Sequence, residues 1–268
     1  MQLAPLTKSD QLVRDINAVL SNASHYMSPE EFWFRRQVAE AEKLKRADFP
    51  LGHNVLAQLW ALAGDILQAE SHINVALNAT ENDPSLLLNK GAILSNLGYF
   101  SRALQPFKEG ADPRFGNFTS RWTLGACIGA FQTLREYWQQ ATRMNLENIS
   151  AVDGRLIGRA ARVMDEVGLA EEQLSRALDI AGGILREERL FFLGEGAEVS
   201  VWDEDALERH LSLNFKLPVP VTTAIQLDEE LGHRLFEGSV DLPYRVTIHF
   251  ESGSPVNEHH AERPAVAG

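Results

Sequence analysis

The feature that most constrains the fold is an internal similarity at a spacing of 34 residues. When the chain is shifted by this spacing, seven of eight aligned positions match in size class. The aligned pairs are Leu56 and Lys90, Ala57 and Gly91, Trp60 and Leu94, Gly64 and Gly98, Ile66 and Phe100, Ala69 and Ala103, Ile73 and Phe107, and Ala76 and Gly110. Small residues allow helices to approach closely, large apolar residues fill the space between them, and glycine suits the turn. The pattern predicts a helix-turn-helix unit repeated over residues 50–83 and 84–117.

Two weaker copies follow. A further step of 34 residues places Gln132 where the turn glycine is expected, so the third unit is predicted to be degenerate. The positions that it keeps are Leu124, Gly125, Ile128, Leu134 and Ala141. The pattern returns after a two-residue slip around Gly168, which predicts a fourth unit over about 154–187. The repeat array is therefore predicted to span residues 50–189.

This pattern resembles the tetratricopeptide repeat (TPR) family, most clearly over residues 97–104. The resemblance implies a mainly α fold, a right-handed solenoid of TPR-like helical hairpins. The first helices of such units line a concave groove that typically holds an extended peptide or a partner helix. Carried over position by position, the implied partner-binding groove residues are Asn54, Gln58, Asn89, Asn96 and Trp122. Amide side chains can bond a peptide backbone as donors and acceptors, and a tryptophan can serve as a large anchor.

Each groove residue also has a plainer interpretation. Amides on a helix face are commonly solvated, and Trp122 fits a core position equally well. Family members that grip a C-terminal carboxylate use lysines and asparagines at fixed groove positions. The expected lysine positions hold Asn54 and Thr119 here, and only Asn89 matches. An internal segment or a folded partner is therefore expected rather than a free carboxyl end.

Residues 1–49 are predicted to form an N-terminal helical pair, a divergent repeat or a cap of the array. Apolar residues at helical spacing predict a first helix over 8–22. Ser28, Pro29 and Glu31 predict a helix start, with the serine as N-cap and the proline at the first helical position. This second helix carries Phe32 and is expected to end before Pro50.

The period changes after residue 190, and residues 190–251 are predicted to form a small α+β module. We expect a strand over 197–202, a short helix from Asp203 to about Leu211, and a strand over 213–217. A helix capped by Thr222 or Thr223 follows. The cleanest strand covers 244–250, with Tyr244, Val246, Ile248 and Phe250 on one face. Residues 252–268 contain no core-forming pattern and are predicted to be a disordered tail.

Charge and cysteine content narrow the function class. The chain has 25 Lys plus Arg against 37 Asp plus Glu, a net charge of -12, which opposes nucleic acid and anionic membranes and favours a basic partner. No apolar run is long enough for membrane insertion and no secretory signal is evident, so a cytoplasmic protein is expected. The single cysteine, Cys127, excludes an intramolecular disulfide and is expected to be buried.

Residues that could carry chemistry are few. The basic residues between Arg35 and Arg46 alternate with acids, which favours a solvated helix face over an anion or RNA site. His210, His233 and His249 with Glu251 could form an acid-base group or a metal site, but no pair has the spacing of a known ligand motif. No metal or cofactor is therefore predicted.

The sequence predicts a non-enzymatic protein-binding protein: an adaptor, a chaperone or an assembly factor that binds a peptide segment or protein partner in the concave groove. The competing interpretation is an enzyme or ligand sensor whose site lies in the C-terminal module and is regulated by the repeats. The module could also fix a homodimer or bind a second partner through its sheet edge.

Overall fold

The computed structural model describes residues 8–112, 118–146, 154–193, 196–202, 209–238, 240 and 242–253. Within these residues the chain is mainly helical, with eleven helices and one three-stranded sheet near the C-terminal end. The helices are α1 (Lys8–Asn22), α2 (Phe32–Ala47), α3 (Phe49–Leu62), α4 (Ile66–Ala79), α5 (Pro84–Asn96), α6 (Phe100–Gly110), α7 (Phe118–Cys127), α8 (Phe131–Arg143), α9 (Gly154–Val167), α10 (Glu171–Glu187) and α11 (Val221–Glu237). The strands are β1 (Glu198–Trp202), β2 (His210–Leu217) and β3 (Val246–Ser252). The tail was predicted from residue 252, but Ser252 belongs to β3; the residues beyond Gly253 lie outside the described part of the chain.

The N-terminal pair confirms the first predicted helix but not the start of the second. Ser28 accepts from the backbone N–H of Glu30 through its side chain and from Glu31 through its carbonyl, while the Glu31 carboxylate accepts from the Ser28 N–H. These bonds close a turn, so α2 begins three residues later than predicted, at Phe32. The Phe32 side chain is 82% exposed, and Phe34 is the aromatic residue of α2 that is buried.

The turns between the paired helices share one backbone arrangement. Gly64, Gly98, Gly129 and Gly168 all have positive φ, between 68° and 76°. In each turn the glycine N–H bonds the carbonyl three residues back, and the next N–H bonds the carbonyl five residues back. This is the Schellman motif at the C-terminus of a helix. It requires one residue in the left-handed backbone conformation, which glycine adopts without strain.

The turn glycines correct the predicted register of the third unit. Gly129, not Gln132, occupies its turn, so the glycine is present but three residues earlier than a strict period of 34 would place it. The fourth turn, at Gly168, agrees with the prediction. The helices flanking it are also as expected, but α9 packs most extensively on α8, and α10 packs most extensively on α6. The array therefore departs from a simple row of like hairpins after its second unit.

Helix α10 closely approaches the turn before α6 because two glycines, which have no side chain, face each other there. A Cβ built on Gly182 would lie 2.0 Å from the carbonyl oxygen of Gly98, and a Cβ on Gly98 would lie 2.6 Å from the Cα of Gly182. Arg186, one turn further along α10, donates to the carbonyls of Leu97 and Gly98 at the end of α5 and stacks on the Tyr99 ring at 4.1 Å. The positive charge of Arg186 is also stabilised here by the negative C-terminal end of the α5 dipole.

Two carboxylates of α10 cap the helices that follow the turns. Asp179 accepts from the backbone N–H and the hydroxyl of Ser101 at the start of α6. Glu171, which is buried, accepts from the N–H of Thr133 at 2.7 Å and from its hydroxyl at 2.8 Å at the start of α8. Neither α6 nor α8 has a side-chain cap from its own N-cap residue. Helix α10 thus satisfies backbone donors that these helices leave open.

The sheet has the strand order β1-β2-β3, with β1 antiparallel and β3 parallel to the central β2. Its apolar face packs on the helices through Phe215, whose ring lies 5.5 Å from those of Phe100 and Phe192. Helix α11 joins this layer by packing on β3 and α10, and Arg234 forms a two-pronged ion pair with Glu187 of α10. The sheet and the second half of the array therefore share one continuous core.

The module differs from its predicted elements at three points. His210 and Leu211 belong to strand β2, so the predicted helix does not reach Leu211; Asp203 lies outside the described residues. Pro220, not Thr222 or Thr223, is the N-cap of α11. The inward face of β3 is confirmed for Val246, Ile248 and Phe250, whereas Tyr244 precedes the strand and is 80% exposed.

The contact between Gly98 and Gly182 leads to a stability prediction. Gly182→Ala would place a methyl group against backbone that cannot move aside, and we expect a loss of about 3 kcal/mol in the free energy of unfolding. The matched control is Gly183→Ala in the same helix, whose Cβ meets nothing closer than the end of the Arg186 side chain at 3.7 Å. That variant should gain about 0.5–1 kcal/mol from helix propensity. Urea denaturation of both variants measures the difference; equal effects would contradict the close contact.

Candidate binding site

A pocket of about 340 Å³ lies where the helices meet the sheet. Helix α7 contributes Trp122, Thr123 and Ala126, and α9 contributes Leu156. The opposite wall comes from the segment before β1, from β1 itself and from β2, through Leu193, Gly196, Ala197, Glu198, Val199 and Lys216. The volume is near the lower end of the ~300–1000 Å³ range of ligand pockets. Most of the lining residues are apolar or glycine, and Thr123, Glu198 and Lys216 are its polar members.

The polar edge of this pocket is an ion pair. The Lys216 Nζ lies 2.7 Å from the Glu198 Oε2, and both side chains are largely exposed. The bond to Glu198 raises the pKa of Lys216 above its ordinary value. The amine therefore stays charged at neutral pH, so it can bind or orient a ligand but does not accept a proton.

Trp122 lines this pocket, although it does not have the register by which it was predicted. Counting back from the turn glycines, Trp122 corresponds to Gly91 and Ala57, and Thr119 takes the position of Asn54. The indole is partly buried and packs against the core of the second half of the chain. The pocket that Trp122 lines depends on the wall formed by the sheet, which the repeat pattern does not reveal.

The segment that follows α10 runs past the C-terminal ends of α3 and α7, which are the first helices of two hairpins. Backbone bonds join Tyr26 to Arg189 and Phe191 to Ser24, beside the end of α3, where Met27 donates to Leu62. Further on, Gly196 adjoins Cys127 at the end of α7, and the Ala197 N–H faces the sulfur. Burial raises the pKa of the Cys127 thiol to about 11, so this buried residue is a packing residue, as expected.

The four predicted amides lie apart from the Trp122 pocket. Asn89 donates through its Nδ2 to the Oδ1 of Asn54 at 3.3 Å, which joins α5 to α3. Asn54 is only 6% exposed, so its side chain positions Asn89 rather than facing solvent. One turn along α3, the Oε1 of Gln58 is buried with no partner among the described residues. Asn96 is partly buried near the end of α5.

Two histidines that the sequence does not predict to meet form a close pair. His53 of α3 and His72 of α4 place their Nδ1 atoms 2.9 Å apart, beside the Phe49 ring. Burial lowers the pKa of both rings; Lys45 lowers both further, and His53 lowers that of His72. A separation of 19 residues carries no local signal, because it depends on how α3 packs on α4.

Two of the histidines considered for chemistry in the module each contact one polar side chain. His249 lies 3.4 Å from an oxygen of Asp228, and His210 bonds the Thr247 hydroxyl at 3.0 Å. Burial, and then the charge of His249, lower the pKa of His210. Within the described part of the chain, no group of three or more His, Cys, Asp or Glu side chains could hold a metal ion.

The basic stretch of α2 is largely paired. Arg35 contacts Glu30, Lys43 contacts Glu40 and Lys45 contacts Glu42, all on exposed or partly exposed side chains. This pairing agrees with the solvated helix face favoured by the sequence.

Comparison with protein-family models, with curated proteins and with solved structures found no match to this chain. No helix in the described part of the chain combines the length and apolar character that crossing a bilayer requires. The candidate site therefore rests on its own geometry.

The histidine pair predicts how stability depends on pH. Because the folded-state pKa values lie below the unfolded value of about 6.5, the unfolded chain binds protons first as the pH falls. The free energy of unfolding should therefore decrease from pH 7.5 to pH 5.5. In His72→Gln this decrease should be smaller, whereas the exposed His233→Gln should retain it. Urea denaturation across this range tests the prediction; identical slopes for both variants would refute it.

Proposed function

We propose that this chain is a non-enzymatic protein-binding protein of the tetratricopeptide type, with its hairpins in a right-handed solenoid. It acts as an adaptor, a chaperone or an assembly factor in the cytoplasm. Its partner is a protein segment that inserts an apolar side chain into the Trp122 pocket. The observation that carries this proposal is the pocket itself, built jointly by α7, α9 and the sheet.

The chemistry of the pocket favours a peptide anchor. Aromatic and aliphatic walls stabilise an apolar side chain, and binding energy at interfaces concentrates at a few such anchor residues. The paired Lys216 and Glu198 at the edge offer a donor and an acceptor to a peptide backbone. Both faces of the pocket pack on one core, so the pocket is present before the partner arrives, which lowers the entropic cost of binding.

The predicted amides lie outside the pocket, on α3 and α5. The Gln58 Oε1 is buried and lacks a donor among the described residues; when the side chain turns outward, a backbone N–H of the bound segment would supply that donor. Asn89, held by Asn54, lies on α5, which packs on α3. We propose that the segment extends from the pocket towards these amides.

A peptide selection tests this function. Peptides selected from a random 12-residue display library on the immobilised full chain should share an apolar anchor residue. Their affinity, measured by fluorescence anisotropy, should fall at least tenfold for Trp122→Ala, about 1.4 kcal/mol, because the anchor loses its aromatic wall. Gln58→Ala should weaken binding by a smaller factor.

The matched control is Trp202→Ala, which removes an exposed indole from β1 outside the pocket. Its peptide affinity should equal that of the unchanged protein. Circular dichroism and urea denaturation establish that both variants fold. If no selected peptide distinguishes Trp122→Ala from the unchanged protein, the pocket is not the partner site. Point variants are required, because deleting residues 190–268 would remove part of the shared core.

A further inference from the structure

A cleft of about 680 Å³ lies between α1 and α2. Helix α1 contributes Gln11, Leu12 and Asp15, and α2 contributes the face that begins at Arg36 and ends at Ala47. On both helices the lining residues recur one or three positions apart, which is the spacing of a single helix face. The volume lies within the ~300–1000 Å³ range of pockets that hold small molecules.

Gln37 is the feature that marks this cleft as a binding site. The residue lines the cleft, yet it is only 6% exposed. Among the described residues, no group bonds its side-chain amide. An enclosed amide without a partner costs free energy, because its donors and its acceptor have lost water. A ligand that offers both an acceptor and a donor to Gln37 would recover this cost.

Arg36, the residue before Gln37, supplies an unpaired positive charge. Arg35, Lys43 and Lys45 each contact a carboxylate. In contrast, no group of the described residues bonds or pairs with the guanidinium of Arg36, which also lines the cleft. A planar guanidinium binds a carboxylate through two parallel hydrogen bonds. We therefore expect the ligand to carry a carboxylate.

The charges that line the cleft balance one another. Arg36 and Lys43 are basic, and Asp15 and Glu40 are acidic. The Lys43 Nζ lies 2.6 Å from the Glu40 carboxylate, and Asp15 accepts from the Gln11 amide at 2.7 Å. A ligand with one kind of charge would meet like charges here, whereas a zwitterion finds a partner for each of its charged groups.

The apolar lining and the size narrow the ligand further. Leu12, Leu44 and Ala47 line the cleft, and Leu12 and Leu44 belong to or pack against the core of the N-terminal helices. Burial against them would stabilise apolar side chains of a ligand. Pockets of this volume hold ligands larger than a single amino acid.

We propose that this cleft binds a zwitterionic dipeptide with apolar side chains. Arg36 holds the carboxylate of the dipeptide, and Asp15 and Glu40 attract its ammonium group. Gln37 bonds its peptide group as donor and acceptor. This small-molecule site goes beyond the proposed partner binding, and it shares no residue with the Trp122 pocket.

The probe is leucyl-leucine, titrated into the full chain and followed by isothermal titration calorimetry. Arg36→Gln should weaken binding at least tenfold, because the carboxylate loses its charged partner. The matched control is Arg35→Gln, which removes the neighbouring exposed arginine outside the cleft and should bind as the unchanged protein does. Gln37→Leu should weaken binding about fivefold without lowering the free energy of unfolding, because it removes an amide that has no partner in the chain.

Changes to the ligand test its end groups and its peptide group separately. N-acetyl-leucyl-leucine lacks the ammonium group, leucyl-leucinamide lacks the carboxylate, and free leucine lacks the peptide group; each should bind more weakly than leucyl-leucine. Trp122→Ala should leave leucyl-leucine binding unchanged, so this site and the Trp122 pocket can fail independently. The proposal is overturned if leucyl-leucine does not bind at millimolar concentration, if Arg36→Gln or Gln37→Leu binds it as the unchanged protein does, or if any of the three altered ligands binds equally well.

Discussion

The backbone contact between Gly98 and Gly182 is the constraint on which most of the structure depends. It brings α10 against the turn between α5 and α6, at a distance that no side chain would permit. Only at this distance do Asp179, Glu171 and Arg186 reach the helix ends that they satisfy. Since buried helix ends without partners are costly, α10 stabilises three other helices through their termini as well as through apolar packing.

A consequence of this arrangement is that the helical array and the C-terminal module are not separable units. Phe192 and Phe215 pack with Phe100 of the second hairpin, while Phe191 joins the core of the N-terminal helices. The segment that leaves α10 therefore contributes to both apolar clusters within two residues. A chain joined in this way should unfold cooperatively.

The sequence predicts local features well because their causes are local. Gly64 and Gly98 mark turns since only glycine adopts that backbone freely, and the alternation over β3 follows from strand geometry. The strict period misplaced the turn at Gly129, because size classes alone tolerate a shift of three residues. No sequence pattern predicts the contact between Gly98 and Gly182, the contact between His53 and His72, or the sheet wall beside Trp122. Each of these contacts joins residues that are distant in sequence, so no local sequence pattern marks it.

The sheet also connects the Trp122 pocket to helix α11. Its β1 side closes the pocket, and its β3 side packs against α11, whose Asp228 accepts a hydrogen bond from the outward N–H of Phe250. Because unprotected sheet edges pair with other chains, the contacts of Arg159 at β1 and of Asp228 at β3 limit such pairing. The acids of α11 act in the same direction, since they repel a second copy of a chain whose net charge is -12.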